Sequence, residues 1–244
     1  MNAATEIFGL RDKSVLVTGA SSGIGKAIAV SCASAGAKLV ITGRDSTRLG
    51  STFLQLSGGD HSHLLSDLSD EGSINHLADQ SPLLDGLVLA AGLPGLCPIR
   101  MASRKFMDEV FSVNYFGAIL LIKALLAKRK ISNGGSVILL SSIAAVSGTH
   151  GVGVYAGSKA ALIGTMRPLA LELSRARIRV NAICPGLVDT PMISRDATWI
   201  DNAKKKYNIG DPADIAYACL YFLSDCSSKV TGNVFNMDGG VEQS

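Results

Sequence analysis

Paired cysteines, aromatic rings and an excess of one charge are all scarce in this 244-residue chain. Its cysteines are Cys32, Cys97, Cys184, Cys219 and Cys226, an odd set without a CxxC pair, so neither a disulfide framework nor a cysteine-based metal site is expected. Lysine and arginine total 23 against 20 acidic residues, and most of them are scattered among the acids. That excludes the concentrated basic face of a nucleic-acid binder. No apolar run reaches the ~18 residues that a bilayer-spanning helix requires. The opening "MNAATEIFGLRDK" also lacks the apolar core of a signal peptide. The expectation is a soluble, cytoplasmic protein with no membrane, nucleic-acid or metal partner. Aromatics make up only 5%, whereas hydrophobic residues reach 47% and glycines number 26. Small apolar side chains of this kind suit helices packed closely on a parallel sheet.

Short apolar runs recur along the whole chain: "SVLVTG", "KLVITGR", "HSHLLSDLS", "DGLVLAAG", "GSVILLSS", "IRVNAICPG" and "GNVFNMDGG". Each has the continuous apolar character of a strand buried on both faces. The spacing between them predicts helices over 24–35, 70–80, 103–129, 154–174 and 212–223, with Gly36 capping the first. Strict alternation of strand and helix implies a doubly wound α/β fold, a parallel sheet of about seven strands with helices on both faces. Residues 1–244 read as a single domain. The stretch 187–211 is long, polar and less periodic, as expected of a substrate lid.

"VTGASSGIGKAIA" runs from the first strand into the first helix. Gly19, Gly23 and Gly25 allow a sharp turn and a close backbone approach, and the helix start offers unpaired N–H groups to a pyrophosphate. Ser21 and Ser22 add hydroxyls, and Ile24 completes the turn. An acid ending the second strand would select NAD(H) by pairing with a ribose hydroxyl. Here Gly43 takes that place and Arg44 follows, a residue able to bind a 2′-phosphate. The cofactor expected is therefore NADP(H) rather than NAD(H). Asp45 complicates the charge, although it can cap the next helix. Asp67, with Leu68 beside it, can accept from an adenine amino group or serve as a turn aspartate.

Tyr155 and Lys159 stand four residues apart and share a helix face. A free phenol titrates near ~10, and a neighbouring cation lowers that value. A tyrosine tuned in this way can pass a proton to a carbonyl oxygen or take one from an alcohol. Ser142 follows an apolar strand, where ligands of such sheets bind, and can hold the same oxygen. Asn114 is a poor residue for the interior of the apolar helix that contains it, so a kink or a proton-relay role is expected.

These motifs, with "SDLSD", "VNYFG", "SSIAAVSG", "YAGSK" and "VDTPM" in order between them, make the chain resemble the short-chain dehydrogenase/reductase family over nearly its whole length. The resemblance implies a Rossmann-type fold and a catalytic set of Asn114, Ser142, Tyr155 and Lys159. It further implies that Pro185, Gly186, Val188 and Thr190 border the cofactor. Homotetramers or homodimers joined through the helices near 103–129 and 154–174 are also implied. Two departures stand out. "LAAG" replaces the usual Asn-Asn-Ala-Gly, so Leu89 and Ala90 remove a polar stabiliser, while Ala91 and Gly92 still admit a cofactor. Many NADP-dependent relatives carry a basic residue near Ser22 in this turn, where the present chain has serines, so Arg44 must carry the phosphate largely alone.

The leading expectation is an NADPH-dependent oxidoreductase that interconverts a ketone and a secondary alcohol, with Tyr155 as general acid/base. Its general appearance is nearest to 3-oxoacyl-acyl-carrier-protein reductases. Two basic clusters are candidate contacts: Lys128, Arg129 and Lys130 for an acidic carrier, and Lys204, Lys205 and Lys206 for an anionic substrate. The alternatives are a small ketone, sugar or polyol dehydrogenase, and a non-catalytic NADP(H)-binding sensor or scaffold.

Overall fold

The apolar runs pair with one another because each carries β-branched and aliphatic residues that can be covered on both faces. The structure is a computed structural model and describes residues 7–148, 150–193 and 209–240. Its strands are β1 (Ser14–Thr18), β2 (Lys38–Gly43), β3 (Ser62–Leu65), β4 (Leu84–Leu89), β5 (Ile131–Leu140), β6 (Arg179–Pro185) and β7 (Val234–Met237). They form one sheet in the order β3-β2-β1-β4-β5-β6-β7, with every pair parallel. Every residue of β6 is buried, whereas the edge strands β3 and β7 contain exposed positions.

Seven helices cover the sheet among the described residues: α1 (Gly23–Ser34), α2 (Ser46–Phe53), α3 (Glu71–Gln80), α4 (Arg104–Phe111), α5 (Gly117–Ala127), α6 (Gly153–Glu172) and α7 (Pro212–Leu223). Successive strand residues point to opposite faces, so the core divides into two layers. Val15, Val17, Val88, Ile138 and Ile183 pack with Ile28 of α1, Leu49 of α2 and Phe222 of α7. Leu16, Leu87, Val137, Leu139 and Val180 pack on the other face with Leu77 of α3, Leu121 of α5 and Met166 of α6. Cys32 and Cys219 are free, buried thiols within the first layer, and burial pushes Cys32 up to about 12.

Three local features depart from the periodicity. Helix α2 is an addition, started by Asp45, whose carboxylate accepts the Arg48 amide at 2.9 Å. The expected 103–129 helix is two α-helices joined by a π-helical segment, Ser112–Phe116, with Asn114 at its centre. The continuous run Arg104–Ala127 is long and apolar enough to cross a bilayer, but half of its most apolar window is buried inside the domain, as in a core helix. The third feature concerns the expected lid, most of which, with Lys204, Lys205 and Lys206, lies outside the described residues. Its flanks meet: Gly210 donates to the Leu187 carbonyl at 2.9 Å and accepts from the Asp189 amide at 3.0 Å.

The sheet's topology places the ligand crevice. Strand order reverses between β1 and β4, and the chain leaves their carboxyl ends on opposite faces, opening a gap there. Departure from the Asn-Asn-Ala-Gly pattern leaves β4 without a polar side chain at this point. Thr18 compensates from the neighbouring strand. Its fully buried hydroxyl accepts the amides of Ala90 at 3.0 Å and Ala91 at 3.1 Å. Thr18→Val keeps the shape but strands both donors. We expect a loss of about 1–3 kcal/mol of stability, seen as a lower urea midpoint with an unchanged m-value. An unaltered midpoint would show that water or backbone adjustment replaces the hydroxyl.

Candidate active site

At the carboxyl ends of β1, β2 and β4 lies a cavity of about 460 Å³. Its walls include the turn Gly19–Gly25, the Arg44 edge, Asp67 and Leu68, and the segment Ala90–Gly92. Gly19 has φ +67°, and a Cβ there would lie 2.7 Å from the Ala91 Cα. Only glycine lets the first turn and the end of β4 approach so closely. The start of α1 faces this cavity through Ser22, Gly23 and Ile24, with no side-chain cap at Ser22. Its orphan N–H groups suit a diphosphate.

The adenosine end is defined by what side chains leave open. Ser21 Oγ is buried without a hydrogen-bond partner, a condition that normally marks a missing ligand or water. A Cβ on Gly43 would fall 2.1 Å from that oxygen. The serine hydroxyl thus occupies the space an acidic side chain at 43 would need. Arg44 and Arg48 both line the wall. Asp45, the apparent complication, is engaged: Arg48 donates its amide at 2.9 Å and its Nε at 2.8 Å, and these bonds hold the carboxyl below its usual range. Asp67 also lines the cavity, while its Oδ1 accepts both the amide and the hydroxyl of Ser69 at 2.9 and 2.7 Å. Burial pushes that carboxyl up, but the Ser69 bonds and the Arg44 charge outweigh it and keep it low. The residues present therefore fit a dinucleotide.

Beyond Gly92 the four proposed catalytic residues come together. A Cβ on Gly92 would lie 3.3 Å from both Asn114 Oδ1 and Lys159 Nζ. Lys159 is 4% exposed and donates to the Leu140 carbonyl, the last of β5, at 2.8 Å. Burial lowers its ammonium to about 8, partly opposed by the nearby Cys184 thiol. Ser142 stands just past β5, where its Oγ accepts the Ala144 amide at 3.2 Å and its hydroxyl lies close enough to the Tyr155 phenol to stabilise the phenolate. The expected lowering of Tyr155 is not what the structure gives. Burial drives the phenol above its ordinary value, and the Ser142 bond only moderates this. The sequence cannot reveal that Lys159 spends a donor on Leu140 inside a desolvated corner.

Some expected contacts lie elsewhere. Thr190 lines the cavity, but Pro185, Gly186, Val188 and the two catalytic residues also expected at the cofactor, Tyr155 and Lys159, do not. Val188 is buried in the core and bridges to Gly210. The Lys128–Lys130 cluster is also remote from the chemistry. It precedes β5, whereas Ser142 follows it, so the two lie at opposite ends of that strand. Lys128 pairs with Asp79, and Lys130 donates to the Ser81 carbonyl at 2.7 Å, so both anchor α3. Sequence reasoning missed Thr42, Arg48, Ser66, Pro94 and Val113 as cavity wall. Of these, Arg48 was within reach of inference, since an Asp45 cap implies a side chain one turn later.

Comparisons with known proteins agree with the geometry. Residues 19–242 match the family described as enoyl-(acyl carrier protein) reductase. The chain is 31% identical to 3-oxoacyl-(acyl-carrier-protein) reductase FabG of Aquifex aeolicus (strain VF5), over 95% of this chain and 98% of that protein. It is also 31% identical to (2S)-[(R)-hydroxy(phenyl)methyl]succinyl-CoA dehydrogenase subunit BbsD of Thauera aromatica, covering 95% and 97%. A crystal structure of a dehydrogenase/reductase from Sinorhizobium meliloti 1021 superimposes with a TM-score of 0.90 at 29% identity, covering 98% of this chain and 99% of that one.

The buried ammonium gives a pH signature. The folded protein binds the Lys159 proton more weakly than the unfolded chain, whose lysines titrate near ~10.4. Between about 8 and that value the unfolded state holds more protons, so stability contributed at this site rises with pH. Relative to Lys159→Met, the cofactor-free wild type should gain stability as pH rises through this window, measured by denaturant titration at each pH. A pH-independent difference between the two would contradict the lowered value.

Proposed function

The chain belongs to the short-chain dehydrogenase/reductase family, oxidoreductases that act on CH–OH groups with NAD(P)(H), and from that premise we propose that it is an NADPH-dependent reductase of ketones. One observation carries the reading. Lys159, with Tyr155 one turn before it, stands behind Gly92, at the edge of a cavity whose adenosine side holds an unpartnered serine hydroxyl and two arginines. When bound, NADPH supplies the hydride. Ser142 then donates a hydrogen bond to the substrate oxygen and holds it against Tyr155. The Tyr155 phenol transfers its proton to that oxygen as negative charge develops there. The Lys159 ammonium, on the same helix face, offsets the phenolate left behind. In the alcohol-oxidising direction the same groups work in reverse, with Tyr155 accepting the proton.

Preference for NADP(H) over NAD(H) follows from the Ser21–Gly43 pair. No acidic side chain can enter at position 43 while Ser21 Oγ occupies that space. Arg44 is then the cation that meets the 2′-phosphate, with the Asp45 charge engaged by Arg48. Substrate character is suggested by the segment after β4. Its Gly95 packs on Tyr155, Leu96 lies over Gly151, and Ile99 approaches Gly153. Leu96 and Ile99 are 79% and 69% exposed, and Val146, just past Ser142, is 45% exposed. An aliphatic rim of this kind favours a ketone with an apolar substituent, such as a 3-oxoacyl thioester, over a sugar or polyol.

NADPH oxidation with a panel of ketones tests the catalytic reading. Tyr155→Phe should lower kcat about 10²–10⁴-fold while NADPH binding persists. Nucleotide binding without turnover on any ketone would instead support a sensor or scaffold. Arg44→Ala should weaken NADPH binding about 10–100-fold and leave NADH nearly unchanged. Equal weakening of both would remove the 2′-phosphate assignment. Assembly into homodimers or homotetramers belongs to the same proposal, since Phe116 and Leu171, 52% and 76% exposed, present apolar surface on the two long helical segments. Sedimentation equilibrium should return a multiple of the 25.4 kDa chain mass, and a single-chain mass would refute it.

A further inference from the structure

We propose that Ser158 is a positioning residue for Tyr155, the middle link of a buried hydrogen-bond chain from the Leu93 backbone through Asn114 to the Tyr155 carbonyl. The assignment rests on the function proposed above. Asn114 Oδ1 accepts the Leu93 amide at 2.7 Å, and Nδ2 donates to the Leu93 carbonyl at 3.1 Å. The same Nδ2 donates to Ser158 Oγ at 3.0 Å. Ser158 Oγ in turn donates to the Tyr155 carbonyl at 2.7 Å. Asn114 and Ser158 are 1% and 0% exposed, so water does not compete for these bonds.

The residue types make sense only as a chain. Asn114 sits in the π-helical segment, where one extra residue per turn alters the direction in which its side chain leaves the helix. Ser158 lies inside α6, where alanine would give a better helix. A serine bonded to a carbonyl three residues back locally adjusts the helix backbone. Here the adjusted carbonyl belongs to Tyr155 itself, and the next residue is Lys159. The other end of the chain fixes Leu93, between Gly92, which meets Lys159 Nζ and lines the cavity, and Gly95, which packs on Tyr155. The chain thus sets the first turn of α6 against the cavity wall.

Loss of the Ser158 hydroxyl leaves Asn114 Nδ2 with the Leu93 carbonyl, so the fold loses little. Ser158→Ala should lower kcat about tenfold through misplacement of the phenol, with KM for NADPH within about twofold and melting within about 4 °C. Asn114→Ala added to Ser158→Ala should cost no more than Asn114→Ala alone, because both break one chain. Two further readouts do not need turnover. Hydrogen exchange at the Leu93 amide should speed up in Ser158→Ala. The Tyr155 phenolate absorbance, read against Tyr155→Phe, should titrate higher as the phenol leaves Ser142, with Cys184 as the other titratable group that acts on it. Wild type that reduces no ketone would refute the enzymatic reading, and exchange and titration would then decide the link by themselves. Additive losses in the double variant, or unaltered exchange together with unaltered titration, would overturn the proposal.

Discussion

A charged ammonium enclosed by the domain is the constraint around which the catalytic corner is arranged. Burying Lys159 is costly, and desolvation lowers its ammonium to about 8. The compensation visible in the structure is one bond to the last carbonyl of β5, a group left over where the strand stops pairing. Ser141 and Ser142 follow the strand here, and Ser141 Oγ donates to the Lys159 carbonyl at 2.9 Å. Strand end and helix are therefore stitched together twice around one lysine. Tyr155 lies one turn earlier on the same helix, so the placement of the ammonium also places the phenol.

The second half of the arrangement is the seam between β1 and β4. Two chains diverge there to opposite faces, and the backbone that would otherwise be exposed meets either Thr18 or the cavity. Small residues dominate the seam because the two backbones nearly touch, as at Gly19 against Ala91. At its far end Ser21 Oγ lies where a side chain at position 43 would begin. Ser21 and an acidic residue at 43 cannot share one space.

Particular residues show how far the sequence could be read. The alternation of apolar runs and helical spacing predicts the sheet because a parallel strand must be apolar on both faces. Asn114 looks anomalous in an apolar helix, and the π-helical segment is the reason. Asp45 is recognisable as a cap, yet helix α2 behind it is too short and too polar to give a clear period. The direction of the Tyr155 shift is misjudged from spacing alone, since spacing reports a neighbour's charge and not how dry the corner is. Lys128 and Lys130 look like a docking patch in one dimension, but in three they anchor α3 at the opposite end of β5.

The sequence by itself determined the layer architecture, the glycine turn, and the pairing of a phenol with an ammonium on one helix face. These follow from local rules: period, backbone freedom and the pitch of a helix. Tertiary structure alone decided which donors were already committed. It gave Lys159 to Leu140, closed the Asp45 charge with Arg48, left Ser21 without a partner, and linked Asn114 to Tyr155 through Ser158. Desolvation and hydrogen-bond saturation depend on every element packed around a group, and no spacing along the chain contains that information.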